Sequence, residues 1–391
     1  MAATATSGTV AGRPQPQTTA EPAGGPFIRH APDGRRAMYV DTQGFGGFMG
    51  RPMVSSPGWN KGYRLLVTSA TASGTGGVLA TTAGGVDAPW SLMQLIQMKD
   101  AFGTQLLTGP GWDIGYAVPK YGGQFGLGLM RDQKNSPQWT PITAASGAFQ
   151  FSTYLPFEFA KGYGVISGAN AALLPVLQVN LAPASTLFST SPSALPTLTE
   201  TVDADFYWLP NVPADPPGIG TTEQWIYQPS NPTIPSGTSE GVQLPRLGGY
   251  LTGLILDLRD STGLRVDAYG TRPKLVVDGV PLIDSLWTTL EEDMAITTGI
   301  GASAANSQTS AGTVPVTRDT GILYISRKTS LSQEELGLLD TGEIFLSTNP
   351  GTQIEVAAYP WGTLTNSPGT LNAIVGQVVP SGALVRGLPE A

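Results

Sequence analysis

Apolar and polar residues alternate along most of this chain, in short runs broken by glycine and proline. Tyr63-Arg64-Leu65-Leu66-Val67-Thr68 opens the series after Gly62, and the stretch SATASGTGG ends it as a turn. Leu92–Met98 is an apolar run, and Asp100-Ala101-Phe102-Gly103 turns the chain into Thr104–Leu107. Ala148–Phe159 is aromatic and strand-like, with Pro156 marking a strand end or an edge. Leu173–Leu181, Thr201–Leu209 and Leu251–Leu258 continue the pattern. So do Lys274–Val277 and Val280–Ile283 around Asp278-Gly279, then Ile322–Ile325, Ile344–Ser347 and Gln353–Tyr359. One segment has helical spacing. In Asp284–Ile296, Leu286, Leu290 and Met294 recur every fourth residue, and Asp284 or Ser285 can cap the first turn.

The second half of the pattern echoes the first. Gly62-Tyr63 corresponds to Gly249-Tyr250, and the turn at Asp100–Gly103 to that at Asp278-Gly279. Phe151–Tyr154 corresponds to Leu323–Ser326, and Leu177–Asn180 to Gln353–Val356. Each turn is followed by a tryptophan, Trp112 or Trp287, in matching packing positions, and then by a possible helical segment. The offsets are all roughly 170–190 residues, and the matches come in order. The expectation is an all-β chain of two tandem jelly rolls, a double jelly-roll with short flanking helices. Residues 1–54 read as an N-terminal arm and 55–210 as the first roll. Residues 211–245 read as a Pro-rich linker, 246–361 as the second roll and 362–391 as a C-terminal tail.

Composition supports this reading. Among 391 residues there are 50 Gly and 33 Pro, and only 13% are charged, a profile poor for helices and ordinary for strands joined by turns. No apolar run approaches the roughly 20 residues needed to span a bilayer. The net charge of −8 is uneven. Up to Arg64, seven basic residues face three acidic ones, so that segment carries about +4 and the remainder about −12. An acidic body argues against specific nucleic-acid binding. A basic arm with Arg13, Arg29, Arg35 and Arg36 is a candidate for contact with a neighbouring subunit or an anionic membrane.

Candidate chemistry is sparse. There is no cysteine and one histidine, His30, in an arm-like segment, which excludes thiol chemistry and leaves a serine triad little to work with. SGTGG (Ser73–Gly77) and AGG (Ala83–Gly85) lack the Gly-Lys-Ser/Thr ending of a phosphate loop and read as turns. Asp203 with Asp205, or Asp257 with Asp260, could bind calcium, but they lack an oxygen-rich loop pattern and read as solvated charges. Glu158, Glu291 and Glu292 are candidates for a glycosidase pair and read as surface charges. Trp90, Trp112, Trp208, Trp225, Trp287 and Trp361 could stack sugars, and in β-domains usually serve core or interface. The expectation is a protein without enzymatic activity or cofactor.

Six stretches carry a family resemblance. Gly62–Ser69 leads the first roll, and Leu92–Gly111 leads into Trp112 and the Asp113–Lys120 segment. Phe149–Val179 joins an aromatic strand, an LP turn and a Gly-rich loop. Leu254–Asp260, Val276–Pro281 and Gly321–Ile325 follow in the second half. Over residues 55–360 this order resembles the major capsid proteins of tectiviruses, the membrane-containing tailless phages of the double jelly-roll lineage. The resemblance implies a homotrimer forming a pseudo-hexagonal capsomer, tiled with neighbouring capsomers into an icosahedral shell. Penton and minor capsid proteins, and an inner viral membrane against the arm, are the further partners it implies. The site would be the virion, with assembly in the host cytoplasm. Loops Gly122–Ser146 and Ala302–Thr313 would be outward insertions. A phage spike or a carbohydrate-binding β-module is the alternative, though neither explains a two-fold repeat with a basic arm.

Overall fold

The computed structural model describes residues 32–52, 58–69, 76–100, 103–122, 138–140, 149–156, 158, 164–168, 174–208, 221–234, 236–239, 241–244, 249–298, 312–313, 318–326, 346–347, 351–358 and 360–380. Sixteen of the strands fall into two sets of eight. The first set is β1 (Asp33–Gln43), β2 (Phe48–Pro52), β3 (Trp59–Ser69), β4 (Met93–Lys99), β5 (Gln105–Gly109), β6 (Gln150–Pro156), β7 (Val176–Leu181) and β8 (Leu198–Tyr207). The second is β9 (Thr221–Ile234), β10 (Gly241–Leu244), β11 (Tyr250–Arg259), β12 (Pro273–Val277), β13 (Val280–Asp284), β14 (Ile322–Ser326), β15 (Ile354–Ala358) and β16 (Gly369–Pro380).

Both sets fold the same way. The first forms β1-β8-β3-β6 and β2-β7-β4-β5, and the second forms β9-β16-β11-β14 and β10-β15-β12-β13. Adding eight to each strand number converts one pair of sheets into the other, and each pair is a jelly roll. The four matches read from the sequence fall on equivalent places: β3 with β11, the β4–β5 turn with the β12–β13 turn, β6 with β14, and β7 with β15. In the β12–β13 turn Asp278 and Gly279 take φ of 49° and 78°, the pair of left-handed residues that a two-residue hairpin requires.

Half-buried strands follow the alternation. In β3 the side chains of Tyr63, Leu65 and Val67 enter the first core, and in β7 those of Leu177, Val179 and Leu181 do. A second core gathers Leu254, Leu256, Leu275, Val356, Trp361 and Leu371. The first core also takes in Trp225, Ile255, Met294, Ile322, Tyr324 and Ile374 of the second roll, so the rolls share apolar contact.

Three expected boundaries need correction. Residues 33–52 are not arm: β1 and β2 are the first two strands of the first roll, paired with β8 and β7. Only Met38 is buried in β1, because it is an edge strand, so no alternation marks it. The segment 211–245 is not simply a linker, because β9 and β10 lie in it. The prolines interrupt β9 without ending it, and its register with β16 shifts between Pro229 and Thr233. The tail 362–391 contains β16, which runs between β9 and β11.

The expected helix begins later, at Trp287, and runs to Thr298. Leu290 and Met294 pack inward as expected, while Leu286 precedes the helix and is exposed. The expected outward loops lie mostly outside the described residues. Their described parts, Gln138–Thr140 and Gly312–Thr313, pair with one another at the edge of the β1-β8-β3-β6 sheet.

Candidate functional site

The place where the two rolls meet gathers a large group of buried charged side chains among the described residues. Its main-chain element is a parallel pairing of β5 with β9, Leu107 opposite Trp225 and Thr108 opposite Ile226. This pairing joins one sheet of each roll into a single nine-stranded sheet. Two paired residues give little, about 0.5–1.5 kcal/mol per hydrogen bond. Burial gives more, since Leu106, Leu107, Trp225 and Ile255 are fully enclosed at about 1.5–3 kcal/mol each. The joint is therefore held chiefly by apolar contact.

After β5 comes helix α1 (Asp113–Gly122), wound with π-type turns and carrying Pro119. It is buried from Asp113 to Tyr121, touching β6 of its own roll and β9, β11, β14 and β16 of the other. Its counterpart is α2 (Trp287–Thr298), packed on β14. Trp112 sits just before α1, and Trp287 is the first residue of α2.

Each tryptophan carries an arginine on its face. The Arg265 guanidinium lies 3.3 Å from the Trp112 ring centre and that of Arg259 lies 5.7 Å away. Arg318 lies 5.0 Å from the Trp287 ring, which also stacks on Tyr269 with centroids 5.0 Å apart. Trp112 is buried and Trp287 is half-buried.

Around Trp112 the two rolls exchange charges. Arg259 at the end of β11 meets Asp87 of the first roll at 2.9 Å and Asp257 at 2.7 Å. Arg265 meets Asp87 at 2.7 Å and Asp257 at 3.3 Å, at ion-pair distance but without an aligned hydrogen bond. Asp113 joins this group. Burial, and then the charge of Asp257, push its pKa up to about 8 against the opposing pull of Arg259 and Arg265. The Asp87 and Asp257 side chains face the two guanidiniums directly, with Asp113 beside them.

A second group lies at the far end of α1. Lys120 Nζ donates to Asp319 Oδ2 at 2.8 Å and to the Tyr116 hydroxyl at 3.1 Å. The Tyr121 hydroxyl donates to Asp319 Oδ2 at 2.8 Å and accepts from the Asp319 N–H at 2.9 Å. The adjacent Arg318 turns the other way, holding Asp267 in two bonds of 2.8 and 2.9 Å and Glu291 at 2.7 Å. One dipeptide thus ties down both helices.

The residues singled out from the sequence are placed as follows. Arg13, Arg29 and His30 lie outside the described residues. Arg35 and Arg36 lie in β1, not in an arm, and Arg35 Nε donates to Asp205 Oδ1 at 2.6 Å across the β1–β8 pair. Its guanidinium is held protonated by that bond. The carboxylate pairs are not solvated as expected. Asp205 holds Arg35, Asp257 is buried in the joint, and Asp260 closes a turn by accepting from Thr262, Leu264 and Asn366. Glu158 is buried and accepts from Tyr207 at 2.7 Å, Glu291 is held by Arg318, and Glu292 is exposed. Among the described residues no group of three or more His, Cys, Asp or Glu could hold a metal ion. Trp90, Trp225 and Trp361 are core residues, and Trp208 is exposed.

The joint itself, Asp87, Arg259, Arg265, Lys120, Arg318 and Asp319, was not read from the sequence. Its one signal is Asp257 and Arg259 inside the apolar run LILDLR, where a charge requires a buried partner.

No family model matches the chain, and no curated protein matches it. Solved structures do. The crystal structure of the STIV MCP superposes with a TM-score of 0.57 at 14% identity, covering 91% of this chain and 100% of that one. A chain in the atomic structure of Sulfolobus Turreted Icosahedral Virus gives 0.59 at 13%, covering 91% and 94%. The Faustovirus major capsid protein gives 0.53 at 10%, covering 90% and 91%. The strand order and these superpositions together give the chain the double jelly-roll fold of viral major capsid proteins.

Proposed function

We propose that this chain is the major capsid protein of an icosahedral virus, a shell subunit and not an enzyme. The observation that carries the reading is the extent of the likeness. It extends over 91% of this chain, enough to take in both rolls, and over the whole of a solved capsid protein. A sugar-binding module or spike does not by itself account for two tandem copies of one roll. In this reading the chain forms a homotrimer whose six rolls make a pseudo-hexagonal capsomer, and capsomers tile the shell of a virion assembled in the host cytoplasm. The tectivirus-like resemblance adds a phage host, penton and minor capsid proteins at the vertices, and an inner membrane.

The segment before β1 is the part left to face the membrane or a neighbouring capsomer, with Arg13 and Arg29 as its cations. Arg35 belongs to the roll. Trp112 and Trp287 serve as equivalent anchors, each seating an arginine beside the helix that follows the fifth strand of its roll.

Size-exclusion chromatography with light scattering, followed by electron microscopy, tests the proposal. The expected result is a trimer that builds shells or sheets of pseudo-hexagonal tiles. A monodisperse monomer that binds a sugar would overturn it. Deleting residues 1–31, which spares β1, is expected to leave the trimer folded and to impair shell assembly.

A further inference from the structure

The internal joint has an uncovered copy of itself elsewhere on the chain. The outer edge of β5 is paired with β9, but its counterpart β13 is the last of the described strands in its sheet. β13 and the turn after it leave large apolar side chains in solvent: Val280 is 57% exposed, Leu282 42% and Leu286 47%. The helices differ in the same way. α1 is buried against the other roll, whereas α2 exposes Thr288, Thr289, Glu292 and Asp293. At the other end of the repeat, β9 is paired on both sides, while β1 pairs with β8 alone among the described strands. Val40 on β1 is 56% exposed. An edge strand with apolar side chains in water is a template for pairing with another chain.

We propose, resting on the capsomer reading above, that β13 of one copy pairs in parallel with β1 of the next, repeating between copies the β5–β9 joint. The occupant of the β13 edge is thus a second copy of this chain. Counted from the start of the two five-residue strands, Leu282 and Ile283 stand where Leu107 and Thr108 stand in β5. Pro281 falls just outside that two-residue ladder, so its missing N–H does not interrupt it. α2 then packs on the first sheet of the neighbour's first roll, as α1 packs on the first sheet of the second roll. Charge agrees with this arrangement: Glu292 and Asp293 are exposed on α2, and Arg36 is exposed on β1 beside Arg35, which is itself paired with Asp205. The joint is head-to-tail and joins unlike edges; repeated at one third of a turn, as the capsomer reading requires, it closes into a ring. Three copies bring six rolls together through two alternating versions of one contact.

The absence of cysteine makes the test clean. Leu282→Cys and Val40→Cys are introduced together and separately and treated with a short bismaleimide, and light scattering is recorded on the same samples before cross-linking. The double variant is expected to give a covalent trimer on a denaturing gel, and each single variant a monomer. A trimer by light scattering that does not cross-link would overturn the strand pairing and leave the capsomer reading standing. A monomer by light scattering would overturn both. A covalent dimer from either single variant would overturn the head-to-tail arrangement. Separately, Leu282→Lys is expected to weaken trimer association at least tenfold without changing the unfolding midpoint of the isolated subunit, and unchanged association would overturn the proposal.

Discussion

Lys120 and Asp319, 199 residues apart, form an ion pair of 2.8 Å with both side chains withdrawn from water. The bond crosses from one jelly roll to the other. Burial lowers the Lys120 pKa while Asp319 opposes that shift. Such a pair stabilises less than its strength suggests, because both charges lost their hydration. Removing one partner is a different matter. Lys120→Met is expected to destabilise the subunit by about 3–5 kcal/mol, since Asp319 would keep a buried charge with only tyrosine donors. Adding Asp319→Leu is expected to recover most of that loss. Urea unfolding of the two single variants and the double variant checks it, and additive losses would contradict the pairing.

The Asp113 carboxyl gives the subunit a pH dependence of definite sign. Its pKa is about 8 when folded and about 4 in an unfolded chain, so between those values the folded state holds one more proton. Stability therefore falls as pH rises through that window, by at most about 1.4 kcal/mol per pH unit. Glu200, pushed up to about 7 by burial against the Tyr39 hydrogen bond, acts in the same direction over a narrower range. Asp113→Asn is expected to remove the larger part of the slope and to make the protein more resistant to urea at pH 8 than the parent. Unfolding midpoints measured from pH 5 to pH 9 decide the point.

Trp112 stands just before α1 and Trp287 opens α2, but the two differ in burial, and the difference fixes a ranking. Trp112 is enclosed with two arginines beside it, whereas Trp287 is partly open. Trp112→Ala is expected to cost about 3–5 kcal/mol, the usual range for truncating a buried aromatic side chain. Trp287→Ala is expected to cost less, and mainly to loosen α2. Chemical denaturation gives the ranking, and hydrogen exchange over Trp287–Thr298 locates the second effect.

Strands with one buried and one half-buried face are legible from their alternation. Tyr63, Leu65 and Val67 in β3 and Leu177, Val179 and Leu181 in β7 show the alternation directly. β1 gave no such signal, because an edge strand at the rim of a sheet buries only Met38. β9 was hidden by Pro229 and Pro232, which read as linker although the ladder passes them with a shift in register. β16 was hidden by Gly369 and Gly376, the second of which is small because a tryptophan lies against it. The ion pairs of the joint were out of reach for a further reason. Asp87, Lys120, Arg265 and Asp319 come from four separate segments, and only the topology brings them together.

Gly376 on β16 lies against Trp225, the residue of β9 that faces Leu107 across the joint. A Cβ at Gly376 would stand 2.5 Å from the Trp225 ring, closer than such atoms approach, and Gly253 on β11 lies against the same ring. Trp225 has nowhere to go, since it is fully buried at the joint between the rolls. Gly376→Ala is therefore an overpacking change, expected to cost about 1–3 kcal/mol. The cost should depend on the ring. Trp225→Phe alone opens a cavity and also destabilises, but in the double variant the methyl group occupies space that the indole vacated. The double variant is thus expected to be more stable than the sum of the single losses implies, by about 1 kcal/mol or more. Thermal and urea unfolding of the three variants measures this coupling. Additivity would mean that the sheet shifts to admit the methyl group, and that the two rolls are joined less rigidly than the close approach of Gly376 to Trp225 requires.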